Sequence, residues 1–315
     1  MKQITAFARL VRWPNLVFIV ITQCLFWYAV VKTKMPDQFS VFFSDKYFFL
    51  LVIASVLIAA AGYIINDYFD INIDAVNKPD KLVVDKIIGR RWAIILHILL
   101  SLAGIVLSFY IDVHLHSYWL GLSNTICVFL LFGYSISLKK KLLIGNVLIS
   151  ALTAWVIIVV YLSVQFVFNH QLKSNTIDTS ELNSLIRISL LYAGFAFVIS
   201  LIREVIKDME DRDGDARYGC KTIPIVWGIP VSKVFTAVWL IVLMAAICIV
   251  QLYVLPFGWW WSALYGIGLI LLPLAWIFKK LYNAQGPSDY HVISVAVKWV
   301  MLSGILSMFF FKLYA

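Results

Sequence analysis

The chain has 315 residues, 62% of them hydrophobic and 14% charged, with a mean hydropathy of +0.90. Soluble domains carry charge on about a quarter of their residues, so a soluble enzyme and a disordered chain are both excluded. The net charge of +9 does not make nucleic acid an expected partner, because the Lys and Arg residues cluster in short stretches between apolar runs, as orientation signals do.

The apolar runs predict nine spans, at roughly 13–31, 48–65, 92–111, 118–137, 144–168, 185–205, 230–254, 259–278 and 291–311. Each is close to the ~20 residues that cross a bilayer core as a helix. Their apolar residues are continuous instead of alternating, which argues against a barrel. Only helices then satisfy the backbone inside lipid. The expected architecture is all-α: a polytopic nine-helix membrane bundle, with residues 1–315 forming a single domain. The first run is long enough to span and no small-residue cleavage site follows it, so it reads as a retained helix. Cys24, Cys127, Cys220 and Cys248 are widely spaced, with no CxxC or His pairing, and give no zinc or redox signal.

With the N-terminus inside, the cytoplasmic segments carry 19 Lys and Arg and the outer ones 6. That bias places the segments after spans 2 and 6 on the cytoplasmic side of a cell membrane. Both segments are acidic. Asn66, Asp70 and Asp74 follow span 2 at i, i+4 and i+8, with Asp67 beside them. Asp208, Asp211, Asp213 and Asp215 follow span 6. Acids at a membrane helix end are costly unless they share something cationic.

Carboxylates at helical spacing suit a hard cation, and Mg2+ is usually held by one or two of them plus substrate phosphates. Basic residues flank both clusters. Lys78 and Lys81 follow the first, Lys207 and Arg212 interleave the second, and Lys139 to Lys141 close span 4. Two facing clusters would therefore hold a metal-bridged diphosphate, and the chemistry this suits is ionisation of an allylic prenyl diphosphate. A central apolar cavity would hold the prenyl chain and keep water from the cation.

Asn66-Asp-x-x-Asp70-x-x-x-Asp74 resembles the first signature of UbiA-type intramembrane prenyltransferases. Arg203-Glu204-x-x-Lys207-Asp208-x-x-Asp211-x-x-Gly214-Asp215, with Lys221-Thr222-Ile-Pro224 after it, resembles the second. Arg12-Trp-Pro14-Asn15, and Tyr134-Ser-Ile-Ser-Leu138-Lys139 with Gly145-Asn146, are similar to the patterns at spans 1 and 4.

The resemblance implies Mg2+ on Asn66, Asp70 and Asp74, and a second on Asp211 and Asp215, with Asp67 and Asp208 assisting. The four acids Asp70, Asp74, Asp211 and Asp215 are then the expected catalytic set. Asn66, Lys78, Lys81, Lys139, Lys207, Arg212, Tyr134 and Asn15 are expected on the diphosphate. Tyr63, Tyr68 and Tyr134 are the aromatic candidates nearest the acids, whereas Asp213 reads as solvated and Lys140 and Lys141 as topology signals.

One departure stands out. Where the family often has Arg-Pro-Ile-Pro-Ser-Gly, this chain has Asn77-Lys78-Pro79-Asp80-Lys81-Leu82. Lys81 keeps the charge but not the bidentate fork of Arg. The second motif is most similar to the branch that alkylates geranylgeranylglyceryl phosphate. Aromatic acceptors of quinone biosynthesis share the same frame, and so would a class I terpene cyclase with no acceptor. A transporter is the reading from another class, but it predicts acids near mid-bilayer on broken helices.

Overall fold

A computed structural model describes residues 2–35, 43–77, 83–171 and 179–314. Among these residues there is no strand beyond a lone bridge between Val84 and Ile88, and nine helices are long and apolar enough to cross a membrane. A short amphipathic helix, α1 (Lys2–Leu10), precedes the first span. Arg12 turns the chain at φ 51°, and Pro14 opens the next helix. That helix, α2 (Trp13–Lys34), contains a π-helical stretch over Phe26–Val31.

The other spans are α3 (Asp45–Asn77), α4 (Arg90–Leu115), α5 (Trp119–Ile136), α6 (Ile144–Gln171) and α7 (Thr179–Glu210). A one-and-a-half-turn helix, α8 (Arg212–Arg217), follows α7. Three further spans complete the bundle: α9 (Gly228–Val254), α10 (Trp260–Asn283, with a π-helical stretch at Ile267–Leu271) and α11 (Pro287–Leu306).

Two helices run well beyond their apolar cores. The expected span at 48–65 is embedded in a helix that continues to Asn77, and that at 185–205 in one that ends at Glu210. The extra turns exist because a helix can leave the bilayer without breaking when its polar end has partners. They lift the two acidic stretches clear of the apolar run on rigid rods. The outer segment expected at 169–184 is shorter than the sequence suggests, since α6 reaches Gln171 and α7 starts at Thr179.

Packing ranks the helices. In α3, 56% of the most apolar window is buried inside the protein, against 11% in α9. With α9 so lightly covered, its apolar surface faces the membrane, and α3 sits at the centre of the bundle. At the end away from the acids, Trp27, Phe43, Phe48, Ile111 and Leu185 form one core cluster, with Trp27 stacked on Phe48 at 4.8 Å between centroids. The α7, α9, α10 and α11 side carries a second, around Ile202, Ile206, Leu274, Ile293 and Val297.

Candidate active site

α2, α3, α5, α6, α7 and α11 surround one cavity of ≈ 370 Å³, a size typical of sites that enclose a small ligand. Its rim is polar and its interior mostly apolar. Asn66, Asp70, Asp74 and Asn77 line it from α3, and Lys207, Asp208, Asp211 and Asp215 from α7 and α8. Deeper in, Phe18, Ile58, Leu131, Val156, Phe195 and Ile305 take over. Asn66, Asp70, Asp74 and Asn77 sit three to four residues apart, so one face of α3 points all of them inward.

The two acidic stretches meet through an amide clamp. Asn77 Nδ2 donates to the carbonyl of Asp211 at 3.1 Å, and the amide of Gly214 donates to Asn77 Oδ1 at 3.0 Å. The contact is so close that a Cβ on Gly214 would lie 2.0 Å from that oxygen. Glycine is therefore required here by space. Asp211 itself is the joint between α7 and α8, and its amide still donates to the Lys207 carbonyl at 2.8 Å.

Cations from other elements reach the first stretch. Lys139 Nζ lies 2.6 Å from Asp70 Oδ1 and donates to Asn66 Oδ1 at 3.1 Å. Asn66 Nδ2 also donates to Asp70 Oδ2 at 2.9 Å. The turn holding Lys139 packs tightly on Gly145, where a Cβ would meet the Lys139 Cα at 2.8 Å. Arg12 Nη2 pairs with Asp67 Oδ1 at 2.7 Å, and the guanidinium lies 5.1 Å from the centre of the Tyr63 ring. Burial opposes the charge on Arg12, but Asp67, Tyr63 and Asp74 together more than offset it, so its pKa is held above the usual arginine range. In the second stretch, Asp208 Oδ2 accepts from Asn146 Nδ2 at 2.8 Å.

Several expected residues are placed differently. Asp67 does not line the cavity; it is turned toward Arg12. Arg212 is exposed and also lies outside the lining, because α8 turns it to the other face from Asp211 and Asp215. Asp213 is exposed as well. Lys78 and Lys81 lie outside the described residues. Asn15, Tyr63, Tyr134, Lys139 and Lys207 line the cavity, whereas Tyr68 does not. Arg12, Asn77, Asn146, Arg203, Glu204 and Lys298 belong to the site or its support but were not among the expected residues. The first five sit in or beside motif stretches, while no pattern marked Lys298.

The rim donors are carboxylate and amide oxygens, which suits a hard cation. Cys220 also lines the cavity, but burial first, with Asp215 adding to it, pushes its thiol up to about 11. It is therefore a poor thiolate ligand at neutral pH. Among the described residues no three His, Cys, Asp or Glu side chains converge as an all-protein metal cage. The oxygen donors at the rim suit Mg2+, which uses few protein ligands and completes its shell with water and phosphate.

The chain matches the UbiA prenyltransferase family over residues 11–302. The chain belongs to the UbiA prenyltransferase family, and it is a prenyltransferase. Similar UbiA relatives include the digeranylgeranylglyceryl phosphate synthase of Methanothermobacter thermautotrophicus, 33% identical over 74% of this chain and 73% of that protein. The enzyme of the same name from Methanoculleus marisnigri is 27% identical over 87% and 85%.

Two solved structures share the fold. A UbiA homologue from Aeropyrum pernix K1 in its apo form has a TM-score of 0.63 at 15% identity, covering 92% of this chain and 98% of that one. A structure described as giving insights into digeranylgeranylglyceryl phosphate synthase in membranes has a TM-score of 0.58 at 21% identity, covering 98% and 99%. The expected UbiA family and the nine-helix all-α fold are thus borne out.

Proposed function

We propose that this UbiA enzyme transfers a geranylgeranyl group from its diphosphate to geranylgeranylglyceryl phosphate, in a Mg2+-dependent reaction. One observation carries the chemistry: a single cavity joins two oxygen-rich acidic stretches to a long apolar interior. The acceptor rests on the relatives' shared name and on the form of the second motif. The whole chain acts as one catalytic domain. Its site opens to the cytoplasm by the bias of 19 basic residues against 6.

Asn66, Asp70 and Asp74 would hold Mg2+ on one side, and Asp211 and Asp215 on the other, with Asp208 assisting. The bound metal supplies charge stabilisation to the departing diphosphate. Lys139 and Lys207 reach the same region from α5's end and from α7, and add fixed positive charge. Lys139 is poised by Asp70 and Asn66, so its ammonium already occupies the rim.

Below the rim, Phe18, Ile58 and Leu131 hold the isoprenoid and exclude water while the C–O bond breaks. Tyr134, with its ring in the lining, faces the developing allylic cation. The acceptor's free hydroxyl oxygen then bonds to C1 of the prenyl cation and gives up its proton to the departed diphosphate, which is released.

The test is purified protein in detergent with Mg2+, geranylgeranyl diphosphate and a panel of acceptors. Digeranylgeranylglyceryl phosphate is the expected product. Transfer confined to aromatic acceptors, or cyclic hydrocarbon formed without an acceptor, overturns the reading.

A further inference from the structure

The last span carried no motif, yet α11 puts a lysine into the cavity. α7 and α11 are tied at both ends. His291 Nδ1 lies 2.8 Å from Glu210 Oε1, and Tyr192 Oη lies 2.9 Å from Ser307 Oγ. These ties make the helices antiparallel and set their register. Two helical turns before Glu210 stands Arg203, and two turns after His291 stands Lys298. Both residues are thus about 10 Å further into the bundle than the first tie, at one level. Both line the cavity.

Two basic residues therefore share this level. The charged groups that act on Lys298 include Arg203, Lys207, Arg12 and Glu204. Glu204 Oε1 accepts from Arg203 Nη1 at 2.8 Å. The Arg203 Nε is buried and has no hydrogen-bond partner. A buried guanidinium donor without an acceptor is costly, and an anion bound in the cavity would satisfy it.

Two anions are available to this enzyme: the diphosphate of the donor and the phosphate monoester of the acceptor. Arg203 stands two turns and more before Asp211 on the same helix, about 12 Å deeper than Asp211 and about 7 Å deeper than Asp208. We propose that Arg203 and Lys298 form a second phosphate subsite, which holds the acceptor's phosphate monoester beneath the diphosphate. The subsite rests on the glyceryl-phosphate reading above. It makes these two residues determinants of acceptor choice, and the phosphate next to the attacking hydroxyl becomes the handle that positions it.

The experiment compares wild type, Lys298→Met, Lys298→Arg and Arg203→Gln in detergent. Geranylgeranylglyceryl phosphate and its dephosphorylated alcohol serve as acceptors. Lys298→Met and Arg203→Gln are expected to raise KM for the phosphorylated acceptor about 10- to 100-fold, the loss expected for one charge-assisted contact. KM for geranylgeranyl diphosphate stays within about 2-fold. The preference for the phosphorylated acceptor falls by the same factor, and Lys298→Arg recovers most of it.

A second readout needs no turnover. The phosphorylated acceptor alone, without donor or Mg2+, raises the Tm of wild type but not of Lys298→Met. A rise in KM for geranylgeranyl diphosphate instead would assign the pair to the donor and overturn the subsite. So would unchanged acceptor KM in variants of an enzyme that does use glyceryl phosphate. A wild type that transfers to no glyceryl phosphate overturns the functional reading, and the subsite with it.

Discussion

The acidic stretch on α3 and the one at the α7–α8 joint face the same cavity but are built differently. The α3 stretch lies on one helix, unbroken from Asp45 to Asn77. Its carboxylates are paired with cations from other elements: Asp70 with Lys139, and Asp67 with Arg12. The second stretch bends at Asp211, and its contacts include neutral amides: Asn146 on Asp208, and Asn77 across the Asp211 carbonyl and the Gly214 amide. The first stretch is thus anchored by ion pairs, and the second is seated by a close-fitting amide clamp. Anchored charge can shift toward an incoming phosphate, because Lys139 is able to exchange one anionic partner for another.

The largest expected effect treats the two stretches as equals. Asp74→Ala and Asp215→Ala should each lower turnover by about 10³-fold or more, since each removes a proposed ligand of the metal that stabilises the leaving group. Chelation of Mg2+ should abolish turnover of the wild type. Full activity in both variants would break the two-sided site.

The next effect is specific to the anchored stretch. Lys139→Met should cut kcat/KM for prenyl diphosphate by about 10²-fold, and Lys139→Arg by less, while binding of the acceptor is unchanged. Single-turnover kinetics with varied donor checks this. An effect confined to the acceptor would reassign Lys139.

Shape is the target of Gly214→Ala. Its new Cβ has no room beside Asn77, and overpacking of this kind costs about 1–3 kcal/mol. The expected result is a lower Tm and roughly 10-fold weaker apparent Mg2+ activation. Asn77→Ala in the same background should restore part of the loss, because it removes the clash. A double-mutant cycle measures that coupling.

The smallest effect concerns Cys220. With its thiol pKa at about 11, it stays protonated at working pH, and Cys220→Ser should alter turnover and metal preference by less than about 2-fold. A large change, or a switch in the activating metal, would make Cys220 a ligand.

Much of the site was legible because membrane composition leaves few places for acids. Asp70, Asp74, Asp211 and Asp215 stand out in an apolar chain, and their spacing follows from the helix period. The spans were legible for the same reason. Arg12 is a different case. Its motif was visible, but the left-handed turn that aims it at Asp67 comes from packing of α1 against α2 and α3. The exclusion of Arg212 follows from the bend at Asp211, and nothing in the local pattern announces that bend. Asn77 sits three residues past Asp74, on the same face, yet its role depends on a glycine 137 positions away.

Sequence alone thus determined the number and polarity of the helices and the chemistry of the rim. Those are properties of composition and period, and each is fixed by what lipid and water tolerate next to a given side chain. Tertiary structure decided which charges are shared. It gave Asp70 to Lys139, turned Asp67 away toward Arg12, and brought Lys298 from an unmarked helix to the level of Arg203. Such pairings depend on the register between helices far apart in the chain, and register is set by side-chain contacts that no single segment contains.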